Sequence, residues 1–300
     1  MIRGKQLSLP ILQGGMGVGI SLDRLAGAVA ACGGMGTIST AFCGFQEPDF
    51  EQNPKAANLR ALERQVKHAK ELAKGAGLVA INAMVATSQY AESVRTALRA
   101  GVDAVVCGAG LPKDLPAIAA EVPESDAALA SVVSGGRAAG LICKLWDRHY
   151  HRIPDFVVLE GPQAGGHLGF SKEDALEAQA GHPKPLSDLL HEVLEALAPF
   201  KEKYQRDIPV FVAGGVKDGR EMHRYMEEGT QPRPDRCVKC LVPCDFKTTP
   251  YCISKALIAA RNGDWENGLF FCDANAGEVN SLSTVREQMD QIMNEWRTAT

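Results

Sequence analysis

The sequence has no long hydrophobic run, no excess of basic residues and no dinucleotide-binding fingerprint. Nothing in it approaches the roughly 18 uninterrupted apolar residues of a membrane-spanning helix. The opening stretch MIRGKQLSLPILQGGMG carries only a brief apolar run broken by Pro10, so a secretory leader is not expected. A net charge of -4 and a pI near 6.0 provide no basic field for nucleic acid or anionic lipid, and a small-molecule partner is expected instead. No GxGxxG lies between a strand and a helix with an acid about 20 residues further on, which argues against a dinucleotide-binding doubly wound domain. Nine cysteines without an export signal read as thiols in a reducing cytoplasm, free or metal-bound, rather than as disulfides.

What is present is the composition of a globular domain: 45% apolar residues, 23% charged residues, and 30 glycines that point to many tight turns. Apolar runs of strand length alternate with stretches of helical periodicity. The runs are Leu9 to Gln13, Met35 to Ser39, Leu78 to Met84, Ala104 to Cys107, Ala127 to Val133, Phe156 to Leu159 and Ile208 to Ala213. Continuous apolar runs suit strands buried on both faces of a parallel sheet. Glycines follow most of them: Gly14-Gly15, Gly108, Gly135-Gly136, Gly165-Gly166 and Gly214-Gly215. This pattern predicts a parallel α/β barrel of the TIM type, with a doubly wound open sheet as the second choice. In such a barrel the chemistry lies at the carboxyl ends of the strands.

The stretch DFVVLEGPQAGGHLG, Asp155 to Gly169, focuses that expectation. Its strand ends at Glu160, and Gly165 and Gly166 remove side chains just before His167, so backbone can approach a flat or phosphorylated ligand beside an imidazole. Asn82, a polar residue in the run LVAINAM, needs a hydrogen-bond partner that either a ligand or a neighbouring loop can provide. Ser21 has the character of an N-cap for the helix after the first glycine loop. The loop Thr40 to Pro54, with Phe42, Phe45 and Phe50, either roofs a site or packs on the surface.

The alternation stops after Glu228. Prolines and charges through TQPRPDRCVKCLVPCDFKTTPYC exclude a central strand, so the eighth strand of a (β/α)8 barrel is missing. Seven strands would leave an exposed edge, and a segment missing at about Gly229-Thr230 is the favoured account. The expected organisation is a barrel over residues 1–229, followed by a Cys-rich loop and C-terminal helices over 230–300 that pack on it. Cys237, Cys240, Cys244 and Cys252 lie within sixteen residues and could ligate zinc or an iron–sulfur cluster, although their spacing matches neither common pattern. The alternative is a reduced, partly buried loop. Cys32, Cys43, Cys107, Cys143 and Cys272 are read as packing residues. In the tail, Ser283 to Glu287 carries an N-cap signature, and Val285, Met289, Ile292 and Met293 form one apolar face.

Six motifs in order, LPILQGGMG, AINAM, CGAG, LEGPQAGGHLG, IPVFVAGGV and DANAGEV, together resemble the nitronate monooxygenase (2-nitropropane dioxygenase-like) family, which includes flavin-dependent enoyl-acyl-carrier-protein reductases. The resemblance covers about residues 7 to 228. It implies FMN at the carboxyl face of the barrel, with Gly14, Gly15 and Met16 along the isoalloxazine and Asn82 bonded to the ring. It also places Gly165 and Gly166 close to the ring, gives Gly214 and Gly215 N–H groups to the phosphate, and puts Glu160 and Gln163 near ring or substrate. His167 resembles the family's catalytic base. The implied reaction is oxidation of nitronates or nitroalkanes by FMN and dioxygen. The alternatives are NAD(P)H-dependent enoyl-thioester reduction on the same barrel, or a non-catalytic metal-binding scaffold. The family's Gly-Thr turn after an eighth strand is absent, which removes half of the expected phosphate cradle.

Overall fold

The computed structural model describes residues 2–162, 164, 184–214, 252–264 and 281–298. Helices and strands alternate: α1 (Asp23–Ala31), β1 (Met35–Ser39), α2 (Pro54–Ala73), β2 (Leu78–Met84), α3 (Tyr90–Arg99), β3 (Ala104–Gly108) and α4 (Leu115–Ala120). They continue with β4 (Ala128–Val133), α5 (Gly136–Tyr150), β5 (Phe156–Glu160), α6 (Leu186–Tyr204), β6 (Val210–Ala213), α7 (Ile253–Arg261) and α8 (Val285–Thr298). The strands form one parallel sheet in the order β1-β2-β3-β4-β5-β6, each beside its neighbours in sequence. This is the TIM-type pattern, incomplete among the described residues.

The period of two in each strand divides its side chains between two cores. Met35, Ala80, Ala104, Ala128 and Phe156 point to the concave side, where Ile2 and Leu12 join them. Small alanines recur there because a curled sheet leaves little room inside. Ile38, Ile81, Val105, Leu129 and Val157 face the helices and make the larger core. Trp146 of α5 is fully buried in that layer and donates its indole N–H to Pro112 O at 2.9 Å, so the ring is buried without leaving a polar atom unpaired. Such burial contributes on the order of 3 kcal/mol. At Gly36 an added Cβ would stand 1.9 Å from Ala26 O, so α1 lies directly on β1.

The expected first strand, Leu9 to Gln13, is reduced to a single parallel bridge between Leu12 and Met35. Met35 N–H donates to Ile11 O and Gln13 N–H to Met35 O, each at 2.9 Å. The next ladder position is taken by a side chain: Thr37 N–H donates to Gln13 Oε1 at 2.9 Å. Pro10 and the glycines after Gln13 shorten the strand, and the glutamine extends its pairing. The described residues hold no eighth strand, and the expected break at Gly229-Thr230 lies outside them.

Two carboxylates brace the opposite, amino-terminal ends of the strands. Asp103 directly precedes β3, accepts Val79 N–H at 2.9 Å and pairs with Lys70 at 2.6 Å, so the charges of α2 are not all left to solvent. Asp155 directly precedes β5, accepts Leu129 N–H at 2.8 Å, and pairs with Arg152 at 2.6 Å and with Arg206. Each closes a gap between neighbouring strands that a backbone bond leaves open. Residues at this face of a barrel serve stability.

Within the expected stretch 283–287 the N-cap of α8 is Thr284: its N–H donates to Glu287 Oε2 at 2.7 Å, and Glu287 N–H donates back to Thr284 Oγ1 at 3.2 Å, a reciprocal capping box. Met289 and Met293 are buried, whereas Ile292 is 44% exposed, so the apolar face is narrower than its sequence. Met289 reaches the barrel: its Cε lies 2.8 Å from where a Cβ on Gly34 would stand. Among the described residues no helix is long and apolar enough to cross a membrane.

Candidate active site

A cavity of about 440 Å³ opens at the carboxyl ends of the strands, within the range of ligand sites. Leu12, Thr37, Asn82, Val106, Val158 and Ala213 all reach it from the concave face. The candidate residues Gly14, Gly15, Met16, Asn82, Glu160 and Gly214, scattered over 200 positions of sequence, line this one cavity.

The glycine loop after the first strand is held by a serine. Ser21 Oγ donates to Gly14 O at 3.2 Å and accepts Met16 N–H at 2.9 Å and Gln13 Nε2–H at 3.0 Å. Ser21 is therefore not the N-cap of α1. Leu22 occupies that position without a side-chain cap, because the hydroxyl is committed to the loop. Gly15 is pressed against β2, where an added Cβ would stand 2.5 Å from Asn82 Cβ. Asn82 uses its backbone O to accept Thr40 N–H at 3.0 Å. Its side-chain amide lines the cavity and makes no hydrogen bond among the described residues. On the neighbouring strand β1, Thr37 is 1% exposed and its hydroxyl has no partner among the described residues. A buried polar atom without a bond costs free energy that a ligand can recover.

Across the mouth, β5 and β6 end in turns that touch. Gly161 N–H donates to Ala213 O at 2.7 Å, and an added Cβ on Gly161 would fall 2.2 Å from Gly214 O. Gly214 has φ +67°, and an added Cβ there would stand 2.5 Å from Ala164 Cβ, so both conformation and space require glycine. Glu160, the last residue of β5, enters the cavity, and burial pushes its carboxyl up to about 6.

Apart from the aromatic loop, the outer wall comes from residues not singled out for a site. Asn58 of α2 accepts Gly44 N–H at 2.9 Å and donates to Gln89 Oε1 at 3.0 Å, while Gln89 donates to Lys55 O at 3.0 Å. This chain fixes the starts of α2 and α3 against the loop after β1. Phe42 lines the cavity and packs edge-on to Phe50 at 5.8 Å, so the aromatic loop does form part of the roof. From α7, Ile253, Ser254 and Leu257 complete it, and Arg261 Nε–H donates to Gly19 O at 3.1 Å. No local pattern marks α7 as a site element. Gln89 stands at the N-cap of α3 without capping it, and Asn58 lies in the second turn of α2.

Gln163, Gly165, Gly166, His167, Gly215, Cys237, Cys240 and Cys244 lie outside the described residues. Cys252 precedes α7, is half-buried and does not line the cavity. Among the described residues no group of three or more His, Cys, Asp or Glu side chains could hold a metal ion. Cys43, Cys107 and Cys143 are buried packing thiols, each pushed up to about 12 chiefly by desolvation.

The family model for nitronate monooxygenase matches residues 1–232. The chain belongs to the nitronate monooxygenase family. This places it among oxidoreductases, and the six barrel strands and their glycine turns all fall inside the matched stretch. Two solved structures are similar to this family member over nearly their whole length. FabK from Thermotoga maritima is 18% identical with a TM-score of 0.64, covering 98% of this chain and 94% of that one. Nitroalkane oxidase from Streptomyces ansochromogenes is 17% identical with a TM-score of 0.60, covering 98% of both chains. At these identities the likeness shows the fold. No curated protein sequence matches the chain significantly.

Proposed function

We propose that this nitronate monooxygenase family member is an FMN-dependent oxidoreductase that oxidises nitroalkanes or their nitronates with dioxygen. The observation that carries the reading is the convergence of Gly14, Gly15, Asn82 and Gly214 from separate strand ends on one cavity. The residues suit a flavin. Gly14 and Gly15 leave a wall without side chains for a flat ring, and the Asn82 amide can both donate to and accept from the ring's polar edge. The Thr37 hydroxyl, which has no partner among the described residues, offers a further bond in the cavity. Gly214, with Gly215 after it, would present backbone N–H groups to the phosphate. When bound, FMN supplies the two-electron redox chemistry that no side chain here provides.

The protein's own task is to orient the substrate, exclude water and move a proton. His167 is the proposed base: a neutral imidazole takes the proton from the carbon bearing the nitro group and, once protonated, holds the anion that results. Purified protein should be yellow and should consume oxygen with a nitroalkane or nitronate. A His167→Asn enzyme should keep its flavin and lose turnover of the neutral nitroalkane. Colourless protein that cannot be reconstituted with FMN would refute the reading. Rapid anaerobic bleaching by NADH or NADPH would instead favour enoyl-thioester reduction.

A further inference from the structure

Thr37 is an expensive residue for its position. It stands mid-strand in β1, opposite Ala80 of β2, and alternation puts its side chain on the concave face with Met35. There it is 1% exposed, lines the cavity, and carries a hydroxyl with no partner among the described residues. Its neighbours on that face avoid the cost: Met35 is apolar, and Ser39 Oγ accepts Ala41 N–H at 3.4 Å. Val106, Val132 and Val158, which reach the cavity from β3, β4 and β5, are apolar as well. Valine has the shape of threonine and would fill the same space without a polar atom, so packing does not call for a hydroxyl here. A ligand with a polar atom to bond does. The backbone of Thr37 is also tied to the glycine wall. Its N–H donates to Gln13 Oε1 at 2.9 Å, the same amide donates through Nε2–H to Ser21 Oγ at 3.0 Å, and Ser21 Oγ accepts Met16 N–H at 2.9 Å. β1 and the loop of Gly14 and Gly15 therefore form one hydrogen-bonded unit, and a flat ligand along that loop meets the hydroxyl in one arrangement.

We propose that Thr37 is a further flavin-binding residue, kept at the expense of the apoprotein: its hydroxyl bonds a polar atom of the ring, and that bond offsets the cost of burying the group. This role rests on the flavin reading above. It gives one substitution two opposite effects. Thr37→Val replaces a buried hydroxyl with a methyl group, which relieves the apoprotein, and removes a bond to the ring, which weakens the complex.

The test is FMN titration of the apoproteins, followed by flavin fluorescence, together with thermal melts of the same apoproteins. Apo Thr37→Val should melt no earlier than wild type, yet bind FMN about tenfold more weakly. Thr37→Ser keeps the hydroxyl and should bind FMN within about threefold of wild type, although the lost methyl group lowers its melting temperature. An unchanged FMN dissociation constant in Thr37→Val, or a Thr37→Ser protein as weak as Thr37→Val, would overturn the proposal. So would an apo Thr37→Val that melts well below wild type or does not fold, because the hydroxyl would then be bonded within the protein and its role structural. Wild-type protein that binds no FMN sinks the flavin reading itself, whereas tight wild-type binding matched by Thr37→Val sinks only the role of Thr37.

Discussion

Gly15 and Asn82 touch so closely that a methyl group on Gly15 would stand 2.5 Å from Asn82 Cβ and 3.2 Å from its Cγ. A residue with no side chain thus sets the position of one whose amide faces the cavity and makes no hydrogen bond among the described residues. Gly15→Ala must displace Asn82 or the loop that Ser21 ties down. Overpacking of this kind costs about 1–3 kcal/mol, which, if taken from ligand binding, is roughly 10–100-fold in affinity. FMN titration of the apoprotein measures it. An unchanged dissociation constant in Gly15→Ala would remove Asn82 from the flavin contacts.

Asp155 is a buried anion whose surroundings were built for its charge. Burial by itself would raise its carboxyl, but Arg152, the Leu129 N–H and Arg206 outweigh that and hold it below the usual carboxylate range. Asp155→Ala leaves the arginines without their partner and should cost about 3 kcal/mol in urea unfolding. The sign for pH follows from the lowered native value. The stabilisation is complete above the unfolded carboxylate range near pH 4 and disappears as pH falls through the native value. Wild type should therefore lose stability below about pH 4 more steeply than Asp155→Ala.

Glu160 carries the opposite sign. Its carboxyl is pushed from 4.5 to about 6 by burial, so the folded chain holds this proton more tightly than the unfolded chain does. Stability falls as pH rises across that interval, and the penalty is complete above it. Glu160→Gln should stabilise the protein at pH 8 by on the order of 1 kcal/mol, allowing for partial exposure, and should do so much less at pH 4.5. Thermal melts at the two pH values decide this, and an equal shift at both would remove the ionisation as its cause.

Arg261 ties α7 to the first glycine loop through Gly19 O. Arg261→Ala removes a charge-assisted bond of about 1.5 kcal/mol, which is roughly tenfold in the opening of α7. Hydrogen exchange across 253–261 should speed up accordingly, and KM should rise more than kcat falls. Unchanged exchange would show that the helix is held by packing alone.

The buried thiols should be inert. With Cys43, Cys107 and Cys143 near 12, about one molecule in ten thousand carries a thiolate at pH 8. Iodoacetamide followed by peptide mass mapping should find these three unmodified in the native protein and all of them modified after denaturation. Labelling of Cys107 in the native state would mean that its helix–sheet layer opens.

Much of this protein was determined by local sequence. Apolar runs such as LVAINAM and FVVLE must be buried on both faces, and their alternation with helical periods dictates parallel strands joined by helices. The glycines after them place backbone-only turns at the carboxyl ends, which is why Gly14, Gly15 and Gly214 were legible as lining of the candidate cavity. What the tertiary structure decided are relations between distant positions. Ser21 reads as a cap from its neighbours, yet its hydroxyl belongs to Gly14 and Met16 because the loop folds back over it. Nothing in their local sequence marks Asn58 and Gln89, which become one wall because β1 and β2 bring α2 and α3 side by side. Arg261 meets Gly19 across 242 positions. Periodicity is a property of a few adjacent residues, whereas the partner of a polar group depends on what packing carries to it, and only the folded chain supplies that.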